Sequence, residues 1–388
     1  MKKILSILLK LTTGLGHLIT LIALLGFIGV LGARGNTLAQ LGSALFPAAG
    51  IILTTLATIL LLSAANLLWR SKRKEPLKKS LVILSILSFV ALGFGGSEWL
   101  KEKQVVEAHG GEMSLLSGVS TLRPSPDEVI TYATKDNQDL TLSVYQNPEK
   151  FRGQQQPVYV YIHGGGWSSG NSESLAGLHR KVADQGYVVF SLNYRLATEQ
   201  TPSWDTATED IADAMNWIRD NAAQYGGDAD KLILSGESAG AHLDLLYTGL
   251  VSNGQLDAPL PAAVITMYPP VDLAWIDENA RFLSPFPQPG IVSKYVGGNS
   301  ETYPDRWEAV DVLNKINDNY PPVYIMHGEK DTMVNIEGSE TFVEELNKAG
   351  GKALLVSFPY SNHAINQQAV VSLLNHFSEQ EGLGVVNP

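Results

Sequence analysis

The chain has 388 residues, of which 45% are hydrophobic and 17% are charged, and its formal net charge is −11. This hydrophobic content excludes an intrinsically disordered chain. The absence of Cys excludes a disulfide framework, a thiolate metal site and a cysteine nucleophile. Residues 1–103 hold 12 Lys and Arg against 3 Asp and Glu, whereas the remainder holds 16 against 36. Because the larger part is acidic, we exclude nucleic acid as a partner.

Three long runs without charged residues open the chain, at 11–33, 35–69 and 80–97. A helix needs roughly 20 apolar residues to cross the hydrocarbon core of a bilayer. We therefore predict a membrane anchor over residues 1–100, with transmembrane helices near 12–32, 46–68 and 80–98. Two alternatives stay open: the first run is a cleaved signal peptide, or the runs are buried core helices.

Basic residues predict the orientation of these helices. Three lysines precede the first span, and six Lys and Arg lie in the loop 70–79, whereas the loop between the first two spans holds only Arg34. By the positive-inside rule, the N-terminus and the 70–79 loop are cytoplasmic. Three crossings then predict a multi-pass protein of the cell membrane, with its main domain outside the cytoplasm. The lipid bilayer is thus a predicted partner through residues 1–100, and no pattern predicts an oligomeric state.

Residues 101–126 contain a Gly pair and a Pro-Ser-Pro break and are predicted to be a linker, and residues 127–388 are predicted to form one domain. Val129–Thr134 and Leu140–Tyr145 alternate like the strands of a hairpin. Short apolar runs then alternate with helix-length segments. This rhythm predicts an α/β domain with a doubly wound, mostly parallel sheet. The stretch 270–320 interrupts the rhythm and is predicted to be a lid-like insertion that covers a site.

The candidate nucleophile lies in Gly236-Glu237-Ser238-Ala239-Gly240, which follows the apolar run 232–234 and opens a helical segment. This is the context that a nucleophile elbow requires. The serine in such a turn needs an unfavourable backbone conformation to project its oxygen, so that its neighbours must be small. The alternative is a glycine-rich turn between a strand and a helix.

A second glycine motif, His163-Gly164-Gly165-Gly166-Trp167, follows the predicted strand 158–162. Acyl transfer needs backbone N–H groups that point at the developing oxyanion, and consecutive glycines allow the main chain to approach that closely. We expect the amides of Gly165, Gly166 and Ala239 to form this oxyanion hole, with His163 bracing the loop. No Gly-Lys-Ser/Thr and no G-x-G-x-x-G is present, so a nucleotide phosphate loop is not predicted.

A serine hydroxyl needs a positioned base. Of the eight histidines, His363 is the candidate, because it lies in the loop after the apolar run 353–358 and before a helix. Catalytic groups of parallel sheets gather in such loops. The candidate orienting acid is Asp331, in the loop after the run 323–326, with Glu329 as the alternative and Asp272 less favoured. The chain order Ser238, Asp331, His363 is the order expected for a fold in which the nucleophile lies in such an elbow.

The sequence resembles the α/β-hydrolase fold and, within it, the hormone-sensitive-lipase-like carboxylesterases, over about residues 130–380. The residues that carry the resemblance are His163–Gly166, Gly236–Gly240, His327–Asp331 and Asn362–His363. It implies ester hydrolysis through an acyl-serine intermediate, without cofactor or metal. It also implies that Trp167 lines the acyl or alcohol pocket, and that Glu237 has a structural role. Many members carry an N-terminal helical cap, which here would have to come from residues 270–320.

These observations predict a membrane-anchored serine hydrolase that acts on a small-molecule or lipid ester. An acyltransferase or an amidase would use the same residues, and product analysis distinguishes these alternatives from ester hydrolysis. A peptidase is less favoured because such enzymes usually carry a larger accessory domain. A non-catalytic binding module would typically have lost one member of the triad. A role of the spans in transport is disfavoured because the three uncharged runs contain no ionisable Asp, Glu, Lys or Arg.

Overall fold

The computed structural model of the chain describes residues 2–115, 124–151, 153–281, 284 and 286–385. The N-terminal part contains the helices α1 (Lys2–Gly29), α2 (Thr37–Leu45), α3 (Ala49–Lys72) and α4 (Lys79–Ala108), joined by turns. Three segments are long and apolar enough to cross a membrane, namely Leu11–Gly29, Thr37–Lys72 and Lys79–Ala108. Their outward faces are apolar, since Leu61, Leu62 and Phe89 are 70%, 68% and 69% exposed.

Two boundaries differ from the sequence prediction. The second segment is broken by a 3-10 turn at Phe46–Ala48, where Pro47 lacks the N–H that a continuous helix would use. The third helix continues to Ala108, so the first residues of the predicted linker are helical. These linker residues lack a helix breaker before Gly110, which explains the extension. Residues 116–123 of the predicted linker lie outside the described residues.

The apolar runs form one eight-stranded sheet that is flanked by helices. Its strands are β1 (Glu128–Lys135), β2 (Gln138–Tyr145), β3 (Gln156–Ile162), β4 (Val188–Leu192), β5 (Gly227–Gly236), β6 (Ala263–Met267), β7 (Val323–Gly328) and β8 (Ala353–Phe358). The spatial order is β1-β2-β4-β3-β5-β6-β7-β8. Strand β2 pairs antiparallel with β1 and β4, and the remaining pairs are parallel. The predicted doubly wound, mostly parallel sheet is therefore confirmed.

The first two strands form the predicted hairpin. Lys135 pairs with Gln138, which leaves Asp136 and Asn137 as a two-residue turn. Both turn residues have positive φ, at 51° and 60°. This is the backbone of a type I′ turn, whose twist matches that of the strands it joins, and Asn and Asp tolerate it better than other side chains.

Helices cover both faces of the sheet. They are α5 (Ala176–Gln185), α6 (Thr206–Asn221), α7 (Ala239–Ser252), α8 (Leu273–Asn279), α9 (Ile291–Val296), α10 (Pro304–Val310), α11 (Ile336–Lys348) and α12 (Gln367–Gln380). The short helices α8, α9 and α10 occupy the predicted insertion, of which residues 282, 283 and 285 lie outside the described residues. Along β3, Val158 and Val160 join the apolar core on one face, whereas Tyr159 and Tyr161 join the core on the other. Burial on both faces explains why β3 is almost continuously apolar.

The N-terminal helices share the core of the second face. Phe46, Trp99 and Val106 belong to the same buried cluster as Phe358 of β8 and Phe377 of α12. The turn after α2 and the C-terminal half of α4 therefore pack against one side of the sheet domain. The loop after α1 adds polar contacts, since Arg34 pairs with Glu337 at 2.8 Å.

Candidate active site

The turn between β5 and α7 holds Ser238 in a strained conformation, with φ 51° and ψ −122°. The turn is possible because its neighbours lack side chains. A Cβ on Gly236 would lie 2.4 Å from the carbonyl carbon of Gly240, and a Cβ on Gly240 would lie 2.1 Å from the carbonyl oxygen of Ile162. The geometry matches the strand-turn-helix context that the sequence predicts for a nucleophile elbow.

The structure brings Ser238, His363 and Asp331 together in one chain of hydrogen bonds. His363 Nε2 lies 2.8 Å from Ser238 Oγ, and its Nδ1 lies 2.7 Å from Asp331 Oδ2. A carboxylate only accepts hydrogen bonds, so Nδ1 carries the proton and donates to Asp331. Nε2 of this tautomer is then free to accept the hydroxyl proton of Ser238. The serine is thus placed against a base, and the base against an acid.

Asp331 is fully buried and is held by several donors. Its Oδ1 accepts from the backbone amides of Met333 at 2.8 Å and Val334 at 3.0 Å. Burial alone would raise the pKa of Asp331, but the adjacent His363, together with a hydrogen bond from His327, outweighs burial and lowers that pKa well below its usual range. The carboxyl group therefore remains an anion at neutral pH. Glu329, the alternative acid, is exposed.

The glycine loop lies directly beside the serine. A Cβ on Gly164 would be 3.1 Å from Ser238 Cβ, and Gly165 and Gly166 have φ of 112° and 58°. Gly164, Gly165 and Gly166 line the same cleft as Ser238. The assignment of the amides of Gly165, Gly166 and Ala239 to an oxyanion hole stays a prediction.

His163 braces this loop from within the protein. Its Nδ1 lies 2.7 Å from the carbonyl oxygen of Gly164, and its ring stacks on Tyr194 at 4.5 Å between centroids. The hydroxyl of Tyr194 in turn donates to the carbonyl of His163 at 3.1 Å. Burial lowers the pKa of His163 to about 4, so the ring is neutral at pH 7. A neutral, buried ring is suited to a supporting role rather than to proton transfer.

A cleft of about 490 Å³ opens onto Ser238 and His363. It is lined by the glycine loop and by apolar residues from the insertion and from the loop after Asp331, namely Pro270, Ile276, Ile291, Met333 and Val334. The sequence analysis assigned no role to these apolar residues. The sequence around each of these apolar residues does not distinguish it from a core residue. The predicted insertion 270–320 did, however, include Pro270, Ile276 and Ile291.

Trp167 and Glu237 have mainly structural contacts. Trp167 borders the cleft, yet it is 1% exposed and its ring stacks on Tyr295 at 4.7 Å between centroids. The lining of the acyl or alcohol pocket by Trp167 stays a prediction. Glu237 Oε2 accepts a hydrogen bond from the hydroxyl of Tyr268 at 2.8 Å. This bond ties the elbow to the residue that follows β6.

His327 also contacts the site, although the sequence analysis assigned it no role of its own. Its Nε2 lies 3.4 Å from Asp331 Oδ2, and both side chains are fully buried. The only sequence signal was its position four residues before Asp331 at the end of a strand. The remaining histidines of residues 127–388 lie in helices, and burial lowers the pKa of His242 to about 4 and that of His179 to about 3. Within the described part of the chain, no group of three His, Cys, Asp or Glu is arranged to hold a metal ion.

Comparison with known proteins identifies the family. A family model described as BD-FAE matches residues 142–346, which is more than half of the chain. The chain belongs to the BD-FAE family. The matched region runs from β2 to α11 and includes the glycine loop, Ser238 and Asp331. It ends before His363.

Curated relatives of this BD-FAE chain carry esterase names. Esterase LipQ of Mycobacterium tuberculosis is 28% identical over 59% of this chain and 55% of its own length. Esterase LipC of the same organism is 31% identical over 49% of this chain and 48% of its own length. The chain therefore spans about half the length of these relatives. The predicted resemblance to the hormone-sensitive-lipase-like carboxylesterases is confirmed.

Solved structures agree with the fold. The apo form of Thermogutta terrifontis esterase 2 is 25% identical to this BD-FAE chain, with a TM-score of 0.53 over 68% of this chain and 97% of that one. The same esterase phosphonylated by cyclosarin matches with a TM-score of 0.53 over 96% of its length. The predicted α/β-hydrolase fold is confirmed by these matches. The unmatched third of this chain is comparable in length to the N-terminal helices and the segment after them.

Proposed function

We propose that this protein is a membrane-anchored serine hydrolase that cleaves carboxylic esters. The observation that carries the proposal is the hydrogen-bonded series Ser238, His363 and Asp331, with distances of 2.8 and 2.7 Å, of which Ser238 and His363 line an apolar cleft. The esterase names of the relatives support the reaction class. The apolar lining of the cleft favours an ester whose acyl or alcohol part is hydrophobic.

In the proposed reaction, Ser238 Oγ attacks the ester carbonyl while His363 Nε2 takes the hydroxyl proton. Asp331 keeps the imidazole in the required tautomer and stabilises its charged form. The amides of Gly165, Gly166 and Ala239 donate to the oxygen on which negative charge develops. His363 returns the proton to the departing alcohol, which leaves the acyl group on Ser238. Water, activated by the same base, then releases the carboxylic acid.

The anchoring part of the proposal is supported by the arrangement of the N-terminal helices. The contacts to the hydrolase domain include those of Gly32, Pro47 and Glu102, which all lie at one end of the helices. The opposite end carries the basic loop between α3 and α4. A basic loop at one end and an acidic domain at the other is the charge pattern of a membrane protein whose domain faces away from the cytoplasm.

The proposal is tested with the full-length protein in detergent and with p-nitrophenyl esters from acetate to palmitate. We expect Ser238→Ala to lower kcat by at least about 10⁴-fold, because the nucleophile is lost while the fold remains. Ser300→Ala, which changes an exposed serine, is the matched control and should retain full activity. Hydrolysis by Ser238→Ala at the wild-type rate would overturn the proposal.

A second test of Ser238 as the nucleophile does not depend on the choice of ester. Thermogutta terrifontis esterase 2 is described as phosphorylated by paraoxon. We expect paraoxon to inactivate this protein and mass spectrometry to find the phosphoryl group on Ser238. Labelling of another residue, with Ser238 unmodified, would contradict the assigned nucleophile.

A further inference from the structure

The loop that carries His363 is bonded to a buried carboxylate of the N-terminal helices. Glu102 lies in α4 and is 1% exposed. Its Oε1 accepts from Ser361 Oγ at 3.0 Å and from the backbone amide of Tyr360 at 3.2 Å. A buried carboxylate is costly unless hydrogen bonds satisfy it. The two bonds therefore fix Glu102 and the 360–361 backbone relative to each other.

Ser43 of α2 holds the next residue of the same loop. Asn362 Nδ2 donates to Ser43 Oγ at 3.1 Å. Asn362 Oδ1 accepts hydrogen bonds from the backbone N–H of His363 at 2.8 Å and from the backbone N–H of Thr332 at 3.1 Å. Asn362 thus joins α2, the candidate base and the loop after Asp331 in one set of hydrogen bonds.

Two further contacts link the loop that carries His363 to the turn between α2 and α3. The ring of Phe46 packs against Tyr360 with 5.4 Å between centroids. Asn366 Nδ2, at the start of α12, donates to the carbonyl of Pro47 at 2.7 Å. Both ends of the loop from Tyr360 to Asn366 are consequently held by the turn between α2 and α3.

We infer that Glu102 and Ser43 are positioning residues for His363, so that the N-terminal helices are part of the active site and not a detachable anchor. The inference rests on the proposed function. His363 must reach Ser238 with one ring nitrogen and Asp331 with the other, and its backbone is set by the 360–363 loop. Loss of the two hydrogen-bonding partners lets this loop shift, and a shift of about 1 Å in a catalytic group costs up to about 100-fold in rate.

The test compares two replacements of Glu102 in the full-length protein. Glu102→Leu keeps a similar volume but removes the acceptor, and we expect kcat to fall about 10- to 100-fold with KM changed less than about twofold, since substrate binding is not altered. Glu102→Gln keeps one acceptor oxygen and should restore kcat to within about threefold of the wild type. Equal loss in both variants, or none in either, would overturn the inference.

Ser43→Ala provides a smaller change that is expected to leave the fold intact. It removes the acceptor for Asn362, and we expect kcat to fall about threefold to tenfold. Ser97→Ala is the matched control, because Ser97 is exposed and its hydroxyl donates to the carbonyl of Phe94 within α4. A Ser43→Ala protein with the kcat of Ser97→Ala would count against the role of α2.

Hydrogen exchange separates this inference from the proposed function. We expect faster exchange of the amides of residues 360–363 in Glu102→Leu and Ser43→Ala than in the wild type or Ser97→Ala. Unchanged exchange would overturn the inference even if kcat fell. If the wild type hydrolysed no ester, the proposed function would fail, and exchange alone would decide whether the helices hold the loop.

Discussion

At the scale of single residues, Ser238 and Asp331 are each held in a state that they would not adopt freely. Ser238 has a positive φ, which costs on the order of 1–3 kcal/mol and persists only where the surroundings enforce it. Asp331 is buried, and its pKa is nevertheless lowered because His363 and His327 outweigh the effect of burial. Both residues thus carry strain or charge that the rest of the domain stabilises, which is typical of functional sites.

The role of Asp331 is tested by Asp331→Asn. An amide at this position favours the wrong imidazole tautomer, because its NH2 group can donate a hydrogen bond to Nδ1, whereas the carboxylate only accepts one. We expect kcat to fall about 10³- to 10⁴-fold while the protein stays folded. The measurement is kcat with p-nitrophenyl butyrate, together with circular dichroism.

Glu329→Gln is the control for this prediction. Glu329 is two residues away, carries the same charge and is exposed. We expect it to retain wild-type activity. If Glu329→Gln lost activity and Asp331→Asn did not, the two carboxylates would have to exchange roles.

At the scale of elements, the site depends on how closely α7 approaches β3. The helix begins at Ala239, directly after the serine, so its N-terminal end points positive charge at the place where the oxyanion would form. The close approach is possible because Gly240 faces the carbonyl of Ile162, at the end of β3. The glycine loop begins at His163, the next residue. The contact between Gly240 and Ile162 therefore positions both the elbow and the glycine loop.

Gly240→Ala tests this contact. The added methyl carbon would lie 2.1 Å from the carbonyl oxygen of Ile162 and 2.7 Å from that of His163, where only backbone movement makes room. We expect a loss of about 1–3 kcal/mol in the free energy of unfolding, or more. The melting temperature and the esterase activity should both fall.

The control is Gly93→Ala in α4, where the new Cβ would meet no atom within 4 Å. Alanine is the better helix former, so this variant should be neutral or slightly more stable. A Gly240→Ala protein with the melting temperature of the wild type would show that the approach of α7 to β3 can relax.

At the scale of the whole molecule, the proposed orientation in a membrane would decide where the enzyme meets its substrate. The chain has no Cys, so single cysteines report topology without a background. We expect Asn299→Cys, in an exposed part of the hydrolase domain, to react with a membrane-impermeant maleimide in intact cells. Ser71→Cys, beside the basic loop, should react only after permeabilisation. The reverse pattern would invert the proposed orientation.

Much of the fold follows from local patterns. The hairpin could be predicted because the alternation of its strands and the Asp136-Asn137 turn are both encoded within a few residues. The parallel strands could be predicted because burial on both faces makes each strand a short apolar run. The close approach of the elbow and the glycine loop could be predicted from their glycines, since glycine is required where backbones approach closely. Boundaries were less accurate, as the extension of α4 to Ala108 illustrates.

The sequence by itself determined the fold class, the apolar lengths of the N-terminal helices and the order of Ser238, Asp331 and His363 along the chain, because these depend on periodicity and on nearby residues. Only the tertiary structure decided which carboxylate meets His363 Nδ1 and which apolar side chains line the cleft. It also brought Glu102 and Ser43 to a loop more than 250 residues away. Such contacts depend on how whole elements pack, and no local pattern encodes them.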